Sequence, residues 1–348
     1  MSRVTIQPSG KTVEVASGDT VLMALEKAGY ALPNNCRAGA CGECKVKVSA
    51  GHFDQGMVLD MALSSEERCD GFGLMCMAKP TTDELVIEWG TADARPKLFA
   101  PRENALFVVT DKRPVAARAV ELHLRPVGQP LRYWPGQYVT VGDPRGGVPA
   151  RAYSISNAPR PDGELVLQVA RADGGVTSAW VHDQLGVGDS IKINGAYGTF
   201  IGDPAVDTPV LCLAAGTGLA PILALTEAAL RRGFRKPVML LLSARTREDA
   251  YAQGLLAWWR TKHRNFDYKI TLTREQADGF LHGRVDAVLP TLLPNLGKHT
   301  VFAAGSPEFT AACVQTAKAL GAGADMIYTE GFFAQQQPTV ADREHLLL

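Results

Sequence analysis

Long apolar runs are missing from this 348-residue chain. No stretch approaches the ~18–20 residues that a helix needs to cross a bilayer, so no membrane span is expected. Net charge is missing as well: 36 Lys and Arg balance 36 Asp and Glu. Without a basic excess, neither nucleic acid nor a membrane surface is an expected partner. Histidine is scarce. Its seven residues match no metal or triad spacing, so they read mostly as surface residues and no general-base histidine is expected. Internal repeats and low-complexity segments are also absent. What remains is an ordinary globular composition, 46% hydrophobic and 21% charged, of a length that suggests two or three domains. The opening residues Met1–Ile6 read directly as a strand. No signal peptide is expected, and the cytoplasm is the expected compartment.

Against these absences stand seven cysteines. Cys36, Cys41 and Cys44 have the spacing C-x4-C-x2-C, and Cys76 follows in Leu74-Met75-Cys76. This is the plant-type pattern for a [2Fe–2S] cluster. Two irons bridged by two sulfides need four thiolates, and a short loop supplies three of them only if it bends sharply. Gly39 and Gly42 permit that bend. Zinc favours paired C-x2-C units, and there is only one such pair. A disulfide scaffold does not suit a chain without a signal peptide. Cys69 lacks the apolar setting of Cys76 and reads as incidental, while Cys212 and Cys313 sit in apolar runs and read as core.

Three segments emerge. In residues 1–92, strand-like Val4–Gln7 and Thr12–Val15 flank a Ser9-Gly10 turn, and helical periodicity runs over Thr20–Ala28. The cysteine loop follows, then strands Lys45–Val48 and Leu85–Trp89. A β-grasp ferredoxin domain (α+β) fits this order. It carries 8 Lys and Arg against 12 Asp and Glu, a net of −4. Residues 93–100 read as a linker. Residues 101–205 hold short strands between Gly and Pro turns: Ala105–Thr110, Val120–Leu124, Tyr138–Val141, Leu165–Val169 and Ser190–Ile193. That spacing predicts an antiparallel β-barrel. From 207 to 333 strands alternate with helices: Val210–Ala214, Leu219–Arg232, Val238–Ser243, Lys269–Leu272, Thr300–Ala303 and Phe309–Leu320. This predicts an α/β domain with a parallel sheet. Residues 334–348 read as a disordered tail.

Two further motifs carry chemistry. Arg151-Ala152-Tyr153-Ser154 lies inside the barrel segment. It reads either as an exposed strand of mixed polarity or as a flavin site. In the second reading Arg151 pairs with a pyrophosphate, Tyr153 stacks on the ring system and Ser154 hydrogen-bonds near its reactive nitrogen. Downstream, Gly174-Gly175-Val176-Thr177-Ser178 offers N–H groups and hydroxyls at a helix start. Val210–Ala215 then leads into Gly216-Thr217-Gly218-Leu219-Ala220-Pro221, a strand–turn–helix of nucleotide-binding type. Pro221 stands at the third glycine position of G-x-G-x-x-G, and no Gly-Lys-Ser/Thr follows. A tight βα turn without ligand is the plainer alternative. Gly305-Ser306-Pro307 repeats the logic after a later strand.

Together these motifs resemble the reductase components of multicomponent bacterial oxygenases, in the ferredoxin–NADP reductase superfamily. Benzoate-, terephthalate- and methane monooxygenase-type reductases share the order ferredoxin, FAD barrel, NAD(P) domain. So do reductases that serve a sugar 3-dehydrase. The resemblance covers about residues 3–333. It implies FAD at Arg151, Tyr153, Ser154, Gly175, Thr177 and Ser178, and a nicotinamide nucleotide at Gly216, Thr217, Gly218, Pro221, Gly305 and Pro307. Tyr328-Thr329-Glu330-Gly331-Phe332 resembles the family's Glu-x-aromatic ending, which places Glu330 and Phe332 near the flavin. Ala304 stands where the family usually has cysteine, which implies a slower hydride transfer. Arg245 and Arg247, after the strand ending at Ser243, lie where a 2′-phosphate could be met. The group mostly uses NADH, and NADH is the expected donor over NADPH. The expected relay runs NAD(P)H to FAD to [2Fe–2S] to a separate terminal oxygenase. A sugar 3-dehydrase or other iron–sulfur acceptor, or a redox sensor without turnover, are the alternatives.

Overall fold

The computed structural model describes residues 2–203 and 207–332; the tail read at 334–348 lies outside them. The first sheet has the strand order Lys11–Val15, Ser2–Gln7, Glu84–Glu88, Lys45–Ala50, Phe72–Leu74. Its first hairpin is antiparallel, with Val4 opposite Val13, and Ser2–Gln7 runs parallel to Glu84–Glu88, with Val4 opposite Leu85. Period-two alternation turns Val4, Ile6, Val13, Val15, Leu85 and Ile87 inward. Helix Val21–Lys27 closes over them with Val21, Leu22 and Leu25, started by Thr20, whose hydroxyl accepts from the Met23 N–H. Each such fully buried side chain contributes about 1.5–3 kcal/mol. This is a β-grasp.

The second sheet is antiparallel throughout: Val148–Ser154, Tyr138–Asp143, Ser190–Tyr197, Arg102–Ala116, Ala119–Pro126, Leu165–Ala170. A bridge between Ile155 and Leu167 joins its two edges, so the sheet curls into a barrel around Phe107, Leu122, Leu124, Val139 and Leu167. One helix, Val176–Asp183, packs on it.

The third sheet is parallel: Leu281–His282, Phe266–Leu272, Val238–Ala244, Val210–Ala215, Thr300–Gly305, Ile327–Gly331. Helices Leu219–Arg231 and Gln253–Lys262 cover one face and Val285–Leu292 and Pro307–Ala319 the other. With both faces covered, Leu211 to Ala214 are all buried. The strand order reverses at Val210–Ala215, which opens a crevice at its carboxyl end.

One expectation fails. Among the described histidines only His52 and His282 are exposed, whereas His123, His182, His263 and His299 are half-buried. His123 lies 3.1 Å from Glu121 and 3.2 Å from Glu164, and His182 bonds the Val169 carbonyl at 2.9 Å. These rings serve as structural hydrogen-bonding groups.

Candidate functional site

The cysteine loop has neither helix nor strand from residue 31 to residue 44. Arg37, Gly39 and Gly42 take positive φ of 54°, 69° and 80°. A Cβ on Gly39 would lie 2.8 Å from Val58 and 2.9 Å from the Met57 carbonyl oxygen, so the bend also needs the missing side chain. The N–H groups of Ala38 and Ala40 donate to Cys36 Sγ at 3.4 and 3.3 Å, and that of Cys76 donates to Cys44 Sγ at 3.4 Å.

The four thiols stand as two hydrogen-bonded pairs, Cys36 with Cys41 and Cys44 with Cys76. Within each pair the mutual hydrogen bond drives one thiol down, Cys36 or Cys76, and its partner up. Among the described residues no three His, Cys, Asp or Glu gather around a single metal-ion position. Two pairs of sulfurs, with N–H groups aimed at them, suit two irons with two thiolates each. Cys69 is exposed, and Cys212 and Cys313 are buried in the nucleotide-domain core.

Arg151, Tyr153 and Ser154 share one edge strand of the barrel. Tyr153 is half-buried, and burial pushes its phenol up to about 12. Ser154 and Glu330 are each 7% exposed, with Oγ 3.5 Å from the carboxylate. Burial pushes the Glu330 carboxyl up to about 8, opposed by the Ser154 hydroxyl. The Phe332 N–H donates to the Gly305 carbonyl at 2.8 Å. The barrel strand and the end of the nucleotide sheet therefore meet at one place.

Helix Val176–Asp183 begins at Gly175 without a side-chain cap. The hydroxyls of Thr177 and Ser178 are bonded within the protein. Thr177 donates to the Pro149 carbonyl, and Ser178 donates to the Gly175 carbonyl and accepts from the Ala172 N–H, both at 3.1 Å. They shape the loop, and the first-turn N–H groups of the helix take no side-chain cap.

Helix Leu219–Arg231 likewise starts without a side-chain cap after Gly216-Thr217-Gly218. Pro221 sits in its first turn, where a missing N–H costs nothing. A Cβ on Gly218 would lie 2.1 Å from the Ala304 carbonyl oxygen. Gly218 thus serves the packing of turn on strand, beside a fully buried Ala304. At Gly305-Ser306-Pro307 the Ser306 Oγ caps its own helix by accepting from the Phe309 N–H at 3.3 Å. Arg245 is exposed, whereas Arg247 is held by Glu275, Nε to Oε1 at 2.6 Å and N to Oε2 at 2.8 Å. Two groups that the sequence did not single out also act here. The Tyr251 hydroxyl spans from Gln168 of the barrel, at 2.8 Å, to the Gly216 carbonyl, at 3.1 Å.

A cavity of about 700 Å³ lies elsewhere, lined by Leu131, Tyr133 and Trp134 of the barrel and by Leu225, Val210 and Thr300. Val210 and Thr300 begin their strands. The cavity is therefore at the sheet's amino edge, away from the glycine turn.

Three domain families match the chain: 2Fe-2S iron-sulfur cluster binding domain at residues 4–81, oxidoreductase FAD-binding domain at 108–201 and oxidoreductase NAD-binding domain at 212–315. The reductase component DmpP of phenol 2-monooxygenase from Pseudomonas sp. (strain CF600) is 32% identical over 321 residues, 90% of this chain and 89% of that one. This chain belongs to the reductase components of bacterial oxygenase systems. The reductase subunit of an aromatic O-demethylase from Amycolatopsis sp. (strain ATCC 39116 / 75iv2) is 33% identical, over 80% of this chain and 83% of its own. The crystal structure of the Amycolatopsis cytochrome P450 reductase GcoB superposes with a TM-score of 0.89 at 30% identity, covering 97% of this chain and all of that one. As a member, this oxygenase reductase is an electron-transfer oxidoreductase with a [2Fe–2S] cluster, FAD and a nicotinamide nucleotide. No helix among its described residues is long and apolar enough to cross a membrane.

Proposed function

We propose that this reductase draws electrons from NADH and delivers them singly to a terminal oxygenase in the cytoplasm. Its domains divide as 1–92 for the cluster, 101–205 for FAD and 207–333 for the nucleotide. Bound FAD supplies the conversion of a hydride pair into single electrons. The protein's part is placement. Cys36, Cys41, Cys44 and Cys76 hold the cluster. Arg151, Tyr153, Ser154 and the first-turn N–H groups after Gly175 hold FAD. The turn Gly216–Gly218 and the N-terminus of its helix hold the nucleotide. The observation that carries this reading is the meeting of Ser154 with Glu330, at 3.5 Å, beside Gly305 and Phe332. That junction unites the barrel's flavin motif with the carboxyl edge of the nucleotide sheet. There Glu330 keeps its proton at neutral pH next to the Ser154 hydroxyl.

The acceptor would dock beside the cluster. Met57, Leu59 and Met61 are 67%, 53% and 87% exposed, and their loop carries the cysteine loop, with the Leu59 N–H donating to the Gly39 carbonyl at 3.0 Å. Exposed Glu43, Asp60, Glu66 and Asp70 accompany them in sequence. An apolar centre with acidic neighbours suits a basic-rimmed acceptor.

An anaerobic visible spectrum before and after NADH tests the relay. Flavin and cluster bands that bleach together support it. Cluster bands that persist after the flavin has bleached refute it.

A further inference from the structure

The cluster loop touches the flavin barrel through Arg37, the residue after Cys36. Its backbone is left-handed, with φ of 54°, a conformation that non-glycine residues hold only when their surroundings enforce it. Its side chain explains the strain. Nη1 lies 2.5 Å from Glu26 Oε1, and Glu26 is 2% exposed in the ferredoxin domain's own helix. The second Glu26 oxygen is buried without a partner, so Arg37 is the cation that makes this carboxylate tolerable.

The same guanidinium lies 4.4 Å above the centre of the Tyr197 ring, which belongs to the barrel. It also acts on the Tyr138 phenol, which is 3% exposed and finds no partner at hydrogen-bond geometry. Tyr138 stands directly opposite Tyr197 on one neighbouring strand and opposite Ser154 on the other. A continuous line of contacts therefore runs from Cys36 through Arg37 and the two tyrosines to Ser154 and Glu330.

We propose that Arg37 is a positioning residue for the flavin-to-cluster step: it locks the cluster loop onto the Tyr197 ring, which packs against Tyr138, and so fixes the separation across which electrons pass. Each crossing moves one electron from reduced FAD to the oxidised cluster, with no bond to the protein made or broken, and NADH supplies the electrons. The inference rests on the relay proposed above. Cluster bleaching in the unaltered holoprotein tests the relay itself, and only the difference between variants and that protein tests Arg37.

The experiment is anaerobic rapid mixing of the holoprotein with NADH, following flavin and cluster bands separately in Arg37→Gln, Arg37→Lys, Tyr197→Leu and the Arg37→Gln/Tyr197→Leu pair. Tyr197→Leu removes the barrel half of the contact without touching the ferredoxin domain, so it decides the matter even where Arg37→Gln loses its cluster. Flavin bleaching should keep its rate, and cluster bleaching should slow by roughly tenfold or more. The pair should be no slower than the worse single variant, since both remove one contact. Arg37→Lys should recover part of the loss, because it keeps the charge without the flat stack. Two further readouts do not depend on turnover. The cluster's paramagnetic signal should be unchanged in Tyr197→Leu, and proteolysis at residues 93–100 should be faster as the domains separate. Cluster bleaching within twofold of the unaltered protein in Tyr197→Leu, or an equal slowing of flavin and cluster bleaching, would overturn the inference.

Discussion

Glu330 gives the flavin junction a titration whose sign and size follow from its burial. Its carboxyl is 7% exposed, and burial pushes its pKa from 4.5 up to about 8. In the unfolded chain the same group ionises near 4.5. Between those values the folded state binds the extra proton, so the stabilisation is complete below about pH 4.5 and is lost as pH rises through about 8. One pKa unit is worth about 1.4 kcal/mol. The whole window is then worth about 5 kcal/mol, of which the rise from pH 6 to pH 8 removes about 2 kcal/mol. Glu330→Gln abolishes the titration while keeping the shape. Scanning calorimetry of both proteins at pH 6 and 8 should show the parent losing on the order of 3 °C relative to the variant. His123, whose pKa is raised by Glu121, works against folding in the same direction as pH rises, but it is common to both chains and cancels in the difference. A Glu330→Gln protein that keeps the parent's pH slope would refute the reasoning, because the proton would then reside elsewhere.

Cys41→Ser should lose the visible and paramagnetic signature of the cluster, whereas Cys69→Ser should retain its full iron content, as an exposed thiol outside the four-sulfur set; iron analysis separates the two. Arg245→Ala should raise the KM for NADPH on the order of tenfold and leave that for NADH unchanged, the scale of one lost charge-assisted phosphate contact. Arg247→Ala should leave the NADPH to NADH ratio alone, since Glu275 already holds that side chain; the two steady-state ratios check both statements. Replacing Met57, Leu59 and Met61 with Gln should raise the KM for cytochrome c, used as a basic probe acceptor, by about fivefold or more. Ferricyanide reduction should not change, and the thermal midpoint should hold, because exposed positions cost little on substitution.

The architecture was legible wherever burial imposes a period. The unbroken apolar run Leu211 to Ala214 reads as a strand covered on both faces, and Val4 and Ile6 alternate as a half-buried strand must. Helix Gln253–Lys262 was not legible, because Gly254 weakens its propensity and Trp258, 54% exposed, breaks its apolar stripe. Helix Val285–Leu292 was hidden by Pro290 inside it, and strand Ile327–Gly331 by the buried ionisable Glu330 within it. In the site, residue types were legible and their orientation was not. Thr177 and Ser178 are hydroxyls at a helix start, but whether they face a ligand or their own loop depends on Pro149 and Ala172. Gly218 reads as a residue that lets phosphate approach, and its firmest constraint turns out to be the Ala304 carbonyl at 2.1 Å.

Contacts between domains were the least legible, and the barrel shows why. The register of Tyr138–Asp143 against Ser190–Tyr197 shifts between Tyr138 and Val139: Tyr138 stands opposite Tyr197, but Val139 stands opposite Gly195. The irregularity passes over Ala196 and brings the two tyrosines level, their rings 5.9 Å apart. Without it, the two-residue side-chain period would place Tyr197 on the other face of the sheet from the one it shares with Tyr138. Arg37 would then lose its ring while Ser154, on the regular side of Tyr138, kept its place. The flavin motif is therefore set by a regular ladder that a sequence pattern can express. The surface that receives the cluster domain is set by one extra residue in a strand, which no pattern of alternation predicts.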